Sequence, residues 1–136
     1  MTSPSSRVQA AGPTNGSQQG STDRLSDAEF HAKANAVLSR IEAALDRWLQ
    51  QDVIDIDSQR TGGLLELLFP GGSKIVVNTQ PPLHELWLAA RTGGYHFQWV
   101  GDRWVDSRSD EEFFAALSRE ISAQANQPLT IEPLSA

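Results

Sequence analysis

From Phe30 onward the apolar residues Phe30, Ala34, Val37, Ile41, Leu45 and Trp48 recur every three or four positions. That spacing puts them on one stripe of a helix. Ser26-Asp27-Ala28-Glu29 in front of it reads as a capping box, and Leu25 with Phe30 as a hydrophobic staple. The period then changes from helical to alternating. Val53-Ile54-Asp55-Ile56-Asp57 predicts a strand with Asp55 and Asp57 on the face opposite Ile54 and Ile56. Short apolar runs follow, at Leu64 to Phe69, Ser73 to Thr79, Leu83 to Ala90, Tyr95 to Val100 and Arg103 to Asp106. Turn residues separate them: Thr61-Gly62-Gly63, Pro70-Gly71-Gly72, Pro81-Pro82, Gly93-Gly94 and Gly101-Asp102, the last a two-residue hairpin turn with Gly first. Connections this short make neighbours antiparallel. A second helix is predicted to open with a capping box at Ser109 to Glu112 and to end near Asn126, before Pro128. Leu129 and Ile131 pack back in extended form. The fold class is α+β: a two-layer α-β-α sandwich, both helices on one face of an antiparallel sheet of about six strands.

Residues 1–24 are rich in Ser, Gly, Gln, Pro and Thr and nearly lack large apolar side chains. They read as a disordered tail before a folded domain at 25–136.

Charge adds a second pattern to the first helix. At about 100° per residue, His31, Asn35, Ser39, Glu42 and Asp46 line up beside the apolar stripe, while Lys33, Arg40 and Arg47 form a separate row. Together with Asp27, Glu29, Asp52, Asp55 and Asp57 this makes an acidic edge shared by helix and strand. Asp27 and Glu29 are equally well explained as first-turn acids that favour a helix start. Asp46 and Asp52 lie near the helix C-terminus, where the dipole disfavours anions, and Glu42 faces Asp46 at a repulsive i,i+4 spacing. A cation or a basic partner accounts for them better than local stability does.

The net charge of −6 and 11 scattered basic residues argue against nucleic acid as a partner, because phosphate recognition needs clustered Lys and Arg. The chain has no cysteine, which excludes disulfides, a thiol nucleophile and thiolate metal ligands. No apolar run approaches a membrane span, and the N-terminus lacks the pattern of a secretory signal. The default is a soluble cytoplasmic protein without membrane contact. Carboxylates with one imidazole and no sulfur suit hard cations or iron better than copper(I) or zinc. The candidate metal set is Asp27, His31, Glu42, Asp46, Asp52, Asp55 and Asp57, an open row that binds weakly and reversibly. His31 is the histidine best placed to add a nitrogen ligand, an ordinary exposed helix histidine being the alternative. His84 and His96 are expected in strands as surface or packing residues. In the run from Leu83 to Leu88, parity turns Trp87 and Glu85 outward if Leu86 and Leu88 point in, and an exposed Trp is a frequent interface anchor. No catalytic constellation is present, so the chain is not read as an enzyme.

These residues resemble the frataxins, specifically the bacterial branch. The match runs in order through Asp27-Ala28-Glu29-Phe30-His31, Gly72 to Asn78, Asn78-Thr79-Gln80-Pro81-Pro82-Leu83-His84, Glu85 to Ala89, Gly93-Gly94-Tyr95-His96-Phe97 and Gly101-Asp102-Arg103-Trp104. It covers about residues 25 to 131. The resemblance implies ferrous or ferric iron on the acidic ridge and a regulatory or iron-donating role in iron–sulfur cluster assembly, in contact with the cysteine desulfurase and the scaffold protein. It also implies that Asn78, Gln80, Pro82 and Trp87, with Glu42 and Asp46, meet those partners, and that the protein is a monomer when iron is low. Ala43, Arg47, Leu49 and Gln51 stand where bacterial relatives often carry acids. The thinner ridge favours docking over a large iron capacity. A metal-independent docking module is the second reading. A ferroxidase or iron store ranks third, since no Glu-x-x-His pair is present.

Overall fold

The computed structural model describes residues 25–133; the expectation for residues 1–24 lies outside them. Helix α1 spans Asp27–Gln50 and helix α2 Phe113–Ala125. Between them run β1 (Asp57–Thr61), β2 (Leu64–Leu68), β3 (Lys74–Gln80), β4 (Glu85–Ala90), β5 (Gly93–Val100) and β6 (Arg103–Asp106). The six strands form one antiparallel sheet in chain order, β1-β2-β3-β4-β5-β6. This is the predicted sandwich.

Alternation along the strands sorts the two sheet faces. Leu65, Leu67, Ile75, Val77, Leu86, Leu88, Phe97 and Trp104 point inward and are buried in one core with the stripe of α1 and with Phe113, Phe114, Leu117 and Ile121 of α2. The opposite face carries no helix and is left to solvent. Leu129 and Ile131 close the core from the C-terminal side, as predicted. Two serines of α2 hold that segment: Ser122 Oγ accepts from Leu129 N–H, and Ser118 Oγ from Ile131 N–H, both at 2.9 Å. Two acids, Asp106 and Glu120, lie inside. Glu120 accepts from the Thr92 hydroxyl at 2.8 Å and pairs with Arg119, whose guanidinium Glu111 holds well above the ordinary arginine range.

The start of α1 follows the sequence. Glu29 N–H donates to Ser26 Oγ (3.1 Å) while the Glu29 carboxylate accepts from Ser26 N–H (2.9 Å). The Ser26 N–H first, and then the Ser26 hydroxyl, hold the Glu29 carboxyl below the usual carboxylate range. Ser26→Ala is expected to cost about 1 kcal/mol of unfolding free energy near neutral pH, measured by urea melts. A lowered folded-state pKa stabilises above the unfolded-state value and is lost as pH falls through the lowered one. The difference between wild type and Ser26→Ala should therefore shrink on acidification.

Element boundaries need correction at several places. The first strand begins at Asp57, not Val53: Ile54 and Ile56 turn inward as expected, but against the core below the helix end, without ladder partners. Helix α2 is capped by Glu112 rather than Ser109, since the Glu112 carboxylate accepts from Phe114 N–H and Ala115 N–H at 2.8 and 3.0 Å. The run at Leu83 splits, because Pro81–Leu83 form one 3-10 turn and His84 adopts a left-handed conformation (φ 52°) before β4.

The glycine at position 63 answers to close approach. A Cβ there would lie 2.0 Å from Thr79 Oγ1, so any larger residue would force the Thr79 side chain or the β1–β2 turn to shift.

Candidate functional site

Helix α1 and the turn after it present the acidic edge. At its N-terminal end, Asp27 Oδ1 lies 2.8 Å from His84 Nε2. The left-handed backbone of His84 aims its ring back onto α1, where it stacks parallel on Phe30 at 4.9 Å and 8°. His84 is thus a packing residue, though one in a turn rather than a strand. His31 is exposed and meets Phe30 edge-on at 5.7 Å.

In the middle of the edge stands a residue that sequence reasoning missed. Arg60 of β1 reaches across α1: its guanidinium bonds Glu42 Oε1 at 2.8 Å, Asn35 Oδ1 at 3.2 Å and Ser39 Oγ at 3.3 Å. The row that puzzled local stability therefore already receives a cation, and the Glu42 carboxylate has an internal counter-ion. The inward parity of Arg60, opposite Leu65, could be read only after β1 was placed correctly.

Towards the C-terminal end the acids separate. Asp46 is exposed on the helix. Asp52 has φ 56° and sits one residue beyond the helix cap, with its N–H bonded to Leu49 O (3.1 Å) and Val53 N–H bonded to Trp48 O (2.8 Å). This is a Schellman termination, in which aspartate is one of the few side chains that tolerates the left-handed position. Local structure thus does explain Asp52, contrary to the expectation. Asp55 is exposed in the segment leading into β1, while Asp57 pairs with Leu68 on the open sheet face. Among the described residues no three His, Asp or Glu side chains converge into a metal-holding group.

The second predicted surface is the open sheet face. Cross-strand register aligns Asn78, Trp87 and His96 in one row and Gln80, Glu85 and Gln98 in the next. Trp87 faces outward as expected and lies parallel on the His96 ring at 4.3 Å and 6°. Its Nε1–H donates to Glu85 Oε1 at 2.8 Å, and Gln98 Nε2 donates to Glu85 Oε2 at 3.0 Å. Pro82 is exposed on the adjoining 3-10 turn. The partnership of Trp87 with His96 was hidden by the turn. Reading Gly93-Gly94 as the reversal would pair Trp87 with Val100, whereas the chain reverses at Arg91-Thr92, with Ala90 paired to Gly93.

The fold and its two surfaces define a small α+β sandwich with acids along the outer helix and an indole platform on the uncovered sheet. The family model of the frataxin-like domain matches residues 23–127, and the chain belongs to the frataxin family. It is 50% identical over 105 residues to the iron-sulfur cluster assembly protein CyaY of Variovorax paradoxus, covering 77% of this chain and 96% of that one. It is likewise 50% identical over 107 residues to the protein of that name from Cupriavidus pinatubonensis, with 79% and 96% covered. Among solved structures, frataxin from Psychromonas ingrahamii superposes with a TM-score of 0.71 at 31% identity, covering 79% of this chain and 99% of that one. Yeast frataxin shares the fold, with a TM-score of 0.63 at 23% identity and 76% and 85% covered.

Proposed function

We propose that this protein is an accessory of iron–sulfur cluster assembly that docks on the cysteine desulfurase and its scaffold and modulates their output. It carries out no bond chemistry of its own. The name shared by its relatives in Variovorax and Cupriavidus supports the pathway. The observation that carries the docking mode is the Arg60 guanidinium held by Glu42, Ser39 and Asn35. An edge that seats an internal guanidinium has the geometry to seat those of a basic protein patch.

Iron is cargo in this reading. A trimeric yeast frataxin, at 22% identity, has been solved complexed with ferrous iron. Here Asp27, His31, Glu42, Asp46, Asp52, Asp55 and Asp57 are the residues that would receive it. Spread-out carboxylates favour weak, reversible occupancy by Fe2+ or Fe3+. Asn78, Gln80, Pro82 and Trp87 are the partner-facing residues of the sheet. The protein acts as a monomer in the cytoplasm when iron is low. The occupied Glu42 also favours a second reading, in which docking needs no metal.

Cluster-assembly kinetics with purified desulfurase and scaffold, with and without this protein, separate the readings. The expected result is a change in rate that grows with iron concentration. A change of the same size at every iron level selects metal-free docking. No change at any level overturns both.

A further inference from the structure

The indole of Trp87 is fixed before any partner arrives. A hydrogen bond ties it to Glu85, two residues back on the same face of β4. Three contacts define the pose: the stack on His96 at 4.3 Å, the Nε1–H bond to Glu85 Oε1 at 2.8 Å, and His96 Nδ1 at 3.8 Å from the same oxygen. Gln98 takes the second Glu85 oxygen at 3.0 Å, and the Glu85 side chain is only 15% exposed. Glu85 therefore serves the surface from within it.

Two consequences follow from this chemistry. Ordering a rotamer-rich side chain at an interface costs roughly 0.5–1.5 kcal/mol, and a side chain already held in place avoids that cost. The indole donor is also used internally, so an incoming group meets the ring hydrocarbon. On the side away from Glu85, the neighbouring row is Val76, Ala89 and Gly94, whose small side chains leave a shallow apolar shelf beside the ring.

We infer that Glu85 is a positioning residue, which lays the Trp87 indole flat on His96 so that the shelf beside it receives an aliphatic side chain of the protein partner. This rests on the reading of the sheet face as a docking surface.

The test uses the full chain with 15N label. The indole N–H signal of Trp87, identified by its loss in Trp87→Phe, reports the pose through its exchange with solvent. Calorimetry against the purified scaffold–desulfurase complex reports docking. Glu85→Ala is expected to speed exchange of that proton at least tenfold and to weaken docking about tenfold. Glu85→Gln keeps an acceptor oxygen and should restore most of both, which a general loss of fold would not do. Trp87→Ala should weaken docking at least as much as Glu85→Ala. Loss of docking in Trp87→Ala with none in Glu85→Ala overturns the positioning role and leaves the docking surface standing. Wild-type docking by Trp87→Ala overturns the surface itself. An indole proton that stays protected in Glu85→Ala refutes the contact.

Discussion

Phe30→Ala should lower the free energy of unfolding by about 3–5 kcal/mol, the range for deleting a large side chain from a packed core. Phe30 is fully buried, one turn into α1. Its ring meets Trp104 of β6 edge-on at 5.9 Å and carries the His84 ring flat against it at 4.9 Å. The substitution therefore opens a cavity where helix, sheet and the 3-10 turn join, and rigid neighbours on three sides limit its collapse. Urea melts should show the midpoint falling with the slope unchanged. A loss under about 1 kcal/mol would mean that the site refills, and that Phe30 does not hold these elements together. The 2.8 Å contact of Asp27 with His84 should go as well, since the stack on Phe30 is what aims that imidazole.

The second large effect concerns function. Glu42→Lys combined with Asp46→Lys is expected to weaken docking on the desulfurase by about tenfold or more and to abolish the heat of ferrous iron binding to the ridge. The double change converts two carboxylates into ammonium groups and sets one of them beside Arg60, which loses its 2.8 Å partner. Exposed charges are screened by salt, so wild-type docking should weaken as ionic strength rises, and the variant should lose most of that dependence. Arg60→Gln makes the opposite change, freeing Glu42, and should strengthen iron binding. Circular dichroism confirms that each variant is folded. Iron binding and docking unchanged in the double variant would remove the ridge from the mechanism.

Much of this molecule was legible in its sequence because strong periodicities leave few alternatives. The stripe from Phe30 to Trp48 could belong only to a helix with one buried face. The Gly101-Asp102 turn between Val100 and Arg103 fixed a hairpin, and α2 ends at Asn126 as expected before Pro128, with a left-handed cap. What escaped was register and long-range electrostatics. Val53 to Ile56 alternate because two isoleucines bury against the core, and burial alone does not make a ladder. Gly93 and Gly94 look like a reversal, yet they extend β5. Once that turn is misplaced, no parity argument brings His96 under Trp87. Arg60 lay outside any predicted strand, so its reach of eighteen residues back to Glu42 had no local signature. The candidate ridge residues were legible as types; their division into a paired end, a neutralised middle and an open end was not.

Strand β1 has one more consequence. Asp57, Ser58, Gln59, Arg60 and Thr61 are all exposed, and β1 has a neighbour on one side only. It is therefore the rim of the sheet, with backbone amides and carbonyls that a further strand could join. Rims of this kind drive edge-to-edge aggregation when they are flat and apolar, and charged residues along them oppose it. An acid and an arginine among five polar residues keep this border soluble. The arginine that quiets the ridge also guards the sheet against uncontrolled growth.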